Sequence, residues 1–280
     1  MLLLKRLIAF VASGLAFVSA GAAIAGQPQD WQLGLQAAAS PVMRDIIWFH
    51  DFLLWIIVVI TLFVLALLIV IVVKFNAKSN PVPSRTTHNT MIEVVWTVVP
   101  VLILVAIAVP SFRLLFYQLK VPPADVTVKA TGKQWFWTYN YPDAKIEFDS
   151  LMKQAAELKA GEPRLLAVDN NLVVPVNKVV RVITTGADVI HSWAVPAFGV
   201  KIDSIPGRVN ETWFKAEREG MYYGQCSQLC GRDHAFMPIA VQVLSEADYA
   251  AWLEGAKKRF ATSEDAPKNA VAAAGTPDVK

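Results

Sequence analysis

Two stretches of the chain, 52–73 and 94–112, contain no charged residue and consist almost entirely of apolar residues. A helix needs about 20 mainly apolar residues to cross the hydrocarbon core of a bilayer. Each stretch therefore predicts one membrane-spanning helix, although Pro100 and Pro110 lie inside the second. Because the two stretches are close in sequence, we expect a transmembrane hairpin over residues 46–117.

The charges around these stretches predict how the hairpin is oriented. The connecting loop carries Lys74, Lys78 and Arg85 and has no acidic residue before Glu93, whereas the residues ahead of the first stretch show no positive excess. Cytoplasmic loops of membrane proteins are enriched in Lys and Arg. The loop is therefore predicted to lie in the cytoplasm, with both ends of the hairpin and everything after Tyr117 on the exported side.

The N-terminal segment has the pattern of a secretory signal peptide. A basic start is followed by an apolar stretch at 7–18 and by a small-x-small motif that ends at Ala25. A third membrane helix is the alternative, but this apolar stretch is short and rich in Ala, Gly and Ser. Residues 1–25 are therefore predicted to be removed, by cleavage at Ala25 or one residue later, which leaves 26–45 as an exported N-terminal segment.

Beyond the hairpin, residues 118–260 show short alternating segments bounded by Pro, Gly and Asn. Many short strands at close spacing are typical of an all-β sandwich or barrel. The candidate strands are 126–130, 135–141, 165–168, 179–184, 212–215 and 239–244.

The end of this domain has a helix signature. Ser245 is followed three residues later by Asp248, which is an N-cap pattern, and the helix is expected to run to about Phe260. The remaining segment, 261–280, is rich in Ala, Pro and small polar residues and is predicted to be disordered.

Composition agrees with a membrane protein and narrows the function. The chain has 280 residues, of which 55% are hydrophobic and only 18% charged. That is too apolar for an ordinary soluble protein. The net charge is +3 and no basic tract is present. Nucleic acid is therefore not a predicted partner.

One loop concentrates the metal-binding chemistry. Cys226, Cys230, His234 and Met237 fall within twelve residues, and the chain has no other cysteine. Thiolates, imidazole and thioether are soft ligands that favour copper over magnesium, calcium or manganese. A mononuclear blue-copper site needs one cysteine, so two cysteines four residues apart suggest two coppers bridged by two sulfurs. The upstream His191 then supplies a second imidazole.

Two other interpretations of this loop stay open at the level of sequence. A cysteine pair in an exported chain is most often a disulfide, although a structural disulfide needs neither the His nor the Met. Zinc also suits Cys and His, but Met is a poor zinc ligand and structural zinc sites usually have closer spacing, such as Cys-x2-Cys. The loop is predicted to join strands 221–224 and 239–244 at one end of the sandwich.

Five short segments carry a resemblance to a known family. They are EVVWT at 93–97, KQWFWTY at 133–139, DVIHSW at 188–193, IPGR at 205–208 and the loop 226–237. Together they resemble subunit II of the haem–copper cytochrome c oxidases, over about 27–260. The resemblance implies a cupredoxin-like sandwich with a dinuclear, mixed-valence copper A centre. The copper ligands that it implies are His191, Cys226, Cys230, His234, Met237 and the backbone carbonyl of Gln228.

The resemblance also implies how electrons arrive. It marks Trp135 as the exposed residue that receives electrons from cytochrome c, although alternating aromatic residues on a strand are usually core packing. Asp149, Asp169 and Asp188 resemble the family's docking acids, and solvated surface charge is the alternative for each. Asn140 stands where many relatives carry Glu, so a less acidic docking face is expected.

Two further roles come from the resemblance. Glu93 is assigned to the mouth of a proton pathway that continues in subunit I, and an interfacial acid that faces lipid headgroups is the alternative. Gln228 stands where relatives commonly have Glu, whose side chain reaches a magnesium or manganese ion at the subunit I interface. A neutral amide is a weaker ligand for a hard cation, so weak occupancy of that site is expected.

The implied function is that of a respiratory subunit in a bacterial inner membrane, with its copper domain in the periplasm. It would take electrons from cytochrome c and pass them to haem in subunit I, with subunit III as a further partner. The chain has no Cys-x-x-Cys-His motif for attached haem. Oxygen reduction is therefore expected in a partner chain.

Three other functions are weighed against this one. A copper carrier or assembly factor would have an open site with fewer ligands. A quinol oxidase subunit of the same fold would lack the Cys, His and Met ligands. Nitrous oxide reductase shares the copper loop, but it is a soluble enzyme with a large additional domain for which this chain has no room.

Overall fold

The computed structural model describes residues 26–261. The predicted signal peptide and residues 262–280 of the predicted tail lie outside this range. The one tail residue inside it, Ala261, forms an isolated β-bridge with Ile146.

Two long helices form the hairpin. Helix α1 spans Pro41–Lys74 and helix α2 spans Thr90–Leu119, and both are long and apolar enough to cross a membrane. The side chain of Ser40 caps α1 by accepting a hydrogen bond from the N–H of Met43, and Asn89 caps α2 in the same way. Both helices extend beyond the apolar stretches of the sequence, because these caps lie well before the apolar residues begin.

Between the hairpin and residue 261, ten short strands form three sheets. The strands are β1 (Val126–Lys133), β2 (Phe136–Tyr141), β3 (Ile146–Ser150), β4 (Leu172–Pro175), β5 (Val179–Gly186), β6 (His191–Val195), β7 (Val200–Ser204), β8 (Asn210–Lys215), β9 (Gly220–Gln225) and β10 (Pro238–Leu244). The largest sheet has the order β3-β2-β1-β5-β8, the second has the order β4-β10-β9, and β6 pairs with β7. The β1–β5 and β4–β10 pairs are parallel and the others antiparallel.

The core of this sandwich is aromatic. Burial alternates strictly along β3 and β5, as expected for strands with one solvated face, whereas every residue of β4 and β6 is buried. The largest side chains that are fully enclosed include Trp137, Tyr139, Trp193, Phe198 and Phe214. Phe198 and Phe214 stack with ring centroids 4.5 Å apart. Such pairs add to the free energy of burial and hold the turn after β6 against β8.

One predicted strand is wrong. Residues 164–166 form a turn instead of the strand predicted at 165–168, and the N–H groups of Leu166 and Ala167 both donate to the carbonyl of Pro163. Leu165 has a φ of 69°, which is the left-handed region and is incompatible with a strand. Only Val168 makes a bridge, to Met152. The strand in this region is β4, whose continuous apolar run was missed.

The C-terminal helix matches its prediction. Helix α3 spans Glu246–Phe260, and the hydroxyl of Ser245 accepts a hydrogen bond from the N–H of Asp248. Trp252, Leu253 and Phe260 of this helix pack on the core of the sandwich.

The sandwich is joined to one end of the hairpin. Ser40 donates to the carbonyl of Phe198, and Arg44 forms an ion pair with Glu217. At the end of α2, Tyr117 meets Trp213 edge to face, with ring centroids 5.4 Å apart. These contacts set the sandwich beside the start of α1 and the end of α2, away from the loop that connects the two helices.

Candidate metal centre

The loop 226–237, which carries the soft ligands, lies at one end of the sandwich. Strands β9 and β10 are antiparallel partners, and Gln225 faces Pro238 in their register. The residues between them, 226–237, therefore form a loop whose two ends are held side by side. His191 is the first residue of β6 and reaches the same end from outside the loop.

The predicted ligands converge here. The sulfurs of Cys226 and Cys230 are 4.0 Å apart. The Nδ1 atom of His191 lies 3.9 Å from the Cys226 sulfur, and the Nδ1 atom of His234 lies 3.4 Å from the Cys230 sulfur. The Met237 sulfur is 3.5 Å from the Cys230 sulfur. Each thiol thus has an imidazole beside it.

The carbonyl oxygen of Gln228 completes the cluster, 3.4 Å from the Cys226 sulfur. Cys226, Cys230, Met237 and His191 are all buried. Both cysteines are free thiols, so the disulfide alternative does not describe this structure. Two sulfurs placed between two imidazoles, with a thioether beside them, fit a pair of soft metal ions better than a single zinc.

The protonation of the two thiols differs. Burial opposes ionisation of Cys226, but hydrogen bonds with His191 and with the backbone lower its pKa to about 7. Burial and the neighbouring Cys226 thiolate raise the pKa of Cys230. Burial also disfavours a charged His191, yet hydrogen bonding to Cys226 and Asp188 raises the pKa of this imidazole. A metal that binds both sulfurs must therefore displace a proton, above all from Cys230.

Surrounding residues hold the ligands in place. The Nε2 atom of His191 lies 2.8 Å from Asp188 Oδ1, which leaves Nδ1 facing the sulfurs. The indole N–H of Trp137 donates to the carbonyl of Met237 at 3.4 Å. Gly132 on β1 has no room for a side chain, because a Cβ there would lie 2.7 Å from the His191 ring.

Trp135 lies against the loop. It sits in the turn between β1 and β2 rather than on the predicted strand, and its indole N–H donates to the carbonyl of Cys230 at 3.3 Å. The guanidinium of Arg232 lies over its ring, 5.5 Å from the centroid. The partly exposed indole therefore connects the protein surface to the backbone of a candidate ligand.

Comparison with known proteins identifies the family. The model for the periplasmic domain of cytochrome c oxidase subunit II matches residues 126–244, and the model for its transmembrane domain matches 28–114. The chain belongs to the cytochrome c oxidase subunit II family. The resemblance to subunit II that the sequence motifs indicated is thereby confirmed.

Individual relatives agree with this family. The chain is 52% identical to the probable cytochrome c oxidase subunit 2 of Rickettsia bellii over 242 residues, which are 86% of this chain and 90% of that protein. It is 51% identical to cytochrome c oxidase subunit 2 of Cereibacter sphaeroides, over 88% of this chain and 89% of that protein. The crystal structure of the periplasmic domain from Bradyrhizobium japonicum is 66% identical, with a TM-score of 0.48, and covers 51% of this chain and all of that one.

As a subunit II, the protein is part of a haem–copper oxidoreductase and a membrane protein with bacterial relatives. The predicted fold is confirmed, since two apolar helices are followed by a β-sandwich and a short C-terminal helix.

Glu93 of this subunit II lies far from the candidate metal centre. It is partly buried in the first turn of α2, where its N–H donates to the carbonyl of Asn89. Tyr117, which contacts the sandwich, is 24 residues further along the same helix. At about 1.5 Å per residue the two lie roughly 36 Å apart, which is about the thickness of a bilayer. Glu93 is therefore at the opposite end of the hairpin from the sandwich.

The three candidate docking acids have partners of their own. Asp149 accepts from the hydroxyl of Thr138, and Asp169 accepts from the N–H of Leu151. Asp188 binds His191. Burial alone would raise the pKa of the Asp188 carboxyl, but the hydrogen bond with His191 and two from backbone N–H groups lower it. Sequence reasoning missed this bond, although a spacing of three residues could have suggested it.

The side chain of Gln228 is exposed, unlike the cysteines on either side of it. It makes no hydrogen bond within residues 26–261. Only its backbone carbonyl belongs to the cluster. The side chain is therefore free to contact a partner subunit.

Proposed function

We propose that this chain is the electron-accepting subunit of a cytochrome c oxidase and that it holds a dinuclear copper A centre. One observation carries the proposal: five soft side-chain donors and the Gln228 carbonyl converge in one cluster, four of whose side chains are buried, with the two thiols 4.0 Å apart. The family match gives this cluster its context.

The residues proposed to hold the copper ions are His191, Cys226, Cys230, His234 and Met237, with the backbone carbonyl of Gln228. When bound, such a centre takes up and releases one electron at a time. The protein's own contribution is rigidity, since the two ends of the loop are paired strands and Asp188 fixes the orientation of His191. Four of the five ligand side chains are buried, which limits the access of water. A loop held by paired strands keeps the rearrangement of the ligands on reduction small.

Electrons are proposed to arrive through Trp135. Its indole is partly exposed and is hydrogen-bonded to the carbonyl of Cys230, so the path from the indole to the cluster runs through the covalent bonds of Cys230 alone. Cytochrome c is the proposed donor. The proposed acceptor is haem in subunit I, where oxygen is reduced, and subunit III is a further proposed partner.

The proposed location is the bacterial inner membrane. Residues 1–25 would be removed during export, and the sandwich would lie in the periplasm, as the positive charges of the hairpin loop predict. Glu93 would then face the cytoplasm, where proton uptake for the complex begins.

Electron paramagnetic resonance of the full-length chain, purified in detergent and loaded with copper, tests the proposal directly. Two equivalent coppers that share one unpaired electron give a seven-line hyperfine pattern. A four-line pattern with one copper per chain would overturn the proposal and favour a copper carrier.

Replacing Glu93 by alanine is expected to slow steady-state oxygen consumption of the intact complex, because an ionisable group at the cytoplasmic edge of a span is removed. The copper spectrum should not change, since Glu93 is at the far end of α2. Glu219→Ala, at an exposed acid of the sandwich, is the matched control and should leave turnover unchanged. Unchanged oxygen consumption at saturating cytochrome c would count against a role for Glu93.

Replacing Gln228 by glutamate is expected to tighten manganese binding in the assembled complex about tenfold, because a carboxylate is a better ligand than an amide for a hard cation. The copper signal should survive, since the carbonyl of residue 228 is unaffected. Manganese titration followed by magnetic resonance measures the affinity.

Gln225→Glu adds the same charge at an exposed glutamine three residues upstream and should leave manganese affinity unchanged. Equal affinity in the parent and in Gln228→Glu would mean that ligands of subunit I alone determine the binding.

A further inference from the structure

A second residue of the turn between β1 and β2 contacts the ligand loop. The side-chain amide of Gln134 donates to the carbonyl of Cys230 at 2.8 Å, which is shorter than the 3.3 Å bond from Trp135 to the same oxygen. A carbonyl oxygen has two lone pairs and can accept both donors. The Cys230 carbonyl therefore accepts hydrogen bonds from both Trp135 and Gln134, and the bond from the Gln134 amide is the shorter of the two.

The backbone of Gln134 is held from the other side of the cluster. Its N–H donates to Asp188 Oδ2 at 2.7 Å, while Asp188 Oδ1 contacts His191. Gln134 thus connects the two parts of the site, because its backbone bonds to the partner of His191 and its side chain bonds to Cys230.

The turn and the loop are packed closely at this point. Gly231 follows Cys230, has a φ of +126°, and could not carry a side chain freely. A Cβ there would lie 3.0 Å from the Gln134 amide nitrogen and 3.0 Å from a carbon of the Trp135 ring. Both side chains therefore lie directly on the loop backbone.

We propose that Gln134 is a positioning residue for electron transfer, which holds the Trp135 indole against the carbonyl of Cys230. This inference rests on the proposed function, in which electrons arrive through Trp135. A single 3.3 Å hydrogen bond and an exposed guanidinium are weak restraints on a partly exposed indole. The side-chain amide of Gln134 binds the Cys230 carbonyl, and Gln134 is joined directly to Trp135. The bond therefore fixes the distance between the Trp135 indole and that carbonyl. Electron transfer depends on that distance.

Gln134→Met in the intact complex tests the proposal, because methionine has nearly the same length and no donor. The electron-transfer rate within the cytochrome c complex, measured after flash photoreduction, is expected to fall about tenfold, the effect of losing one net hydrogen bond from the reactive geometry. The KM for cytochrome c should stay within about twofold, since no docking charge changes. The seven-line copper signal should remain, which shows that the site still folds.

Gln242→Met is the matched control. Gln242 lies on β10, four residues beyond Pro238, and its side chain bonds only to Asn171 within the described residues. This variant should transfer electrons at the parental rate.

A double variant separates this inference from the proposed function. In a Trp135→Gln background, Gln134→Met should cause no further slowing, because Gln134 acts through Trp135. If Trp135→Gln slows transfer but Gln134→Met alone does not, only the positioning role is overturned. Equal slowing by Gln134→Met with and without Trp135 also overturns it. If Trp135→Gln itself has no effect, the proposed electron path is wrong.

Discussion

Cys226→Ser is expected to abolish the proposed dinuclear copper centre. The Cys226 sulfur lies 4.0 Å from the Cys230 sulfur and 3.9 Å from His191 Nδ1, so it is central to the ligand cluster. A serine oxygen is a hard ligand that stays protonated at neutral pH, and it cannot replace a bridging thiolate. A single remaining thiolate cannot bridge two coppers symmetrically.

Copper content and magnetic resonance of the purified chain measure the effect. Copper should fall from about two ions per chain to about one or none, and the seven-line pattern should disappear. Cys230→Ser is expected to lose copper and the seven-line pattern in the same way. Ser227→Ala, at the exposed neighbour of Cys226, should keep the parental spectrum. Two coppers and an unchanged optical spectrum in Cys226→Ser would refute the bridging role.

Trp135→Gln is expected to slow electron transfer from cytochrome c at least ~100-fold, a rise of about 2.7 kcal/mol in the activation free energy. The reason is that the indole is the only aromatic side chain bonded to the carbonyl of Cys230 among residues 26–261. Copper content should stay normal, because Trp135 supplies no ligand atom. Transient kinetics after mixing with reduced cytochrome c measure the rate.

Trp31→Gln provides the matched control. Trp31 lies in the N-terminal segment and is 97% exposed, so the same substitution there should leave the rate unchanged. If Trp135→Gln transfers electrons within a factor of a few of the parent rate, Trp135 serves only in packing.

Local sequence was enough to determine several elements of this protein. The hairpin follows from two uncharged apolar stretches, since only a helix satisfies its own backbone groups in lipid. Helix α3 follows from its cap, because Ser245 bonds to the N–H of Asp248 three residues later. The grouping of Cys226, Cys230, His234 and Met237 was also visible, because all four lie on one short loop.

Only the tertiary structure decided how distant segments meet. His191 is 35 residues from Cys226, yet the packing of β6 brings its ring to the loop. The hydrogen bond from Gln134 to the carbonyl of Cys230 spans 96 residues and has no local signal. A turn at 164–166 took the place of the strand predicted at 165–168, because Pro163 accepts two backbone hydrogen bonds.

The difference between the features set by local sequence and those set by the tertiary structure has a physical reason. Helix caps, apolar stretches and short ligand loops depend on residues within a few positions of one another, so the sequence alone determines them. The placement of Trp135 on the loop and of Asp188 on His191 depends on sheet register and on small residues such as Gly132 and Gly231. Those contacts exist only once the strands have packed, and the geometry of the candidate metal site was therefore decided by the fold.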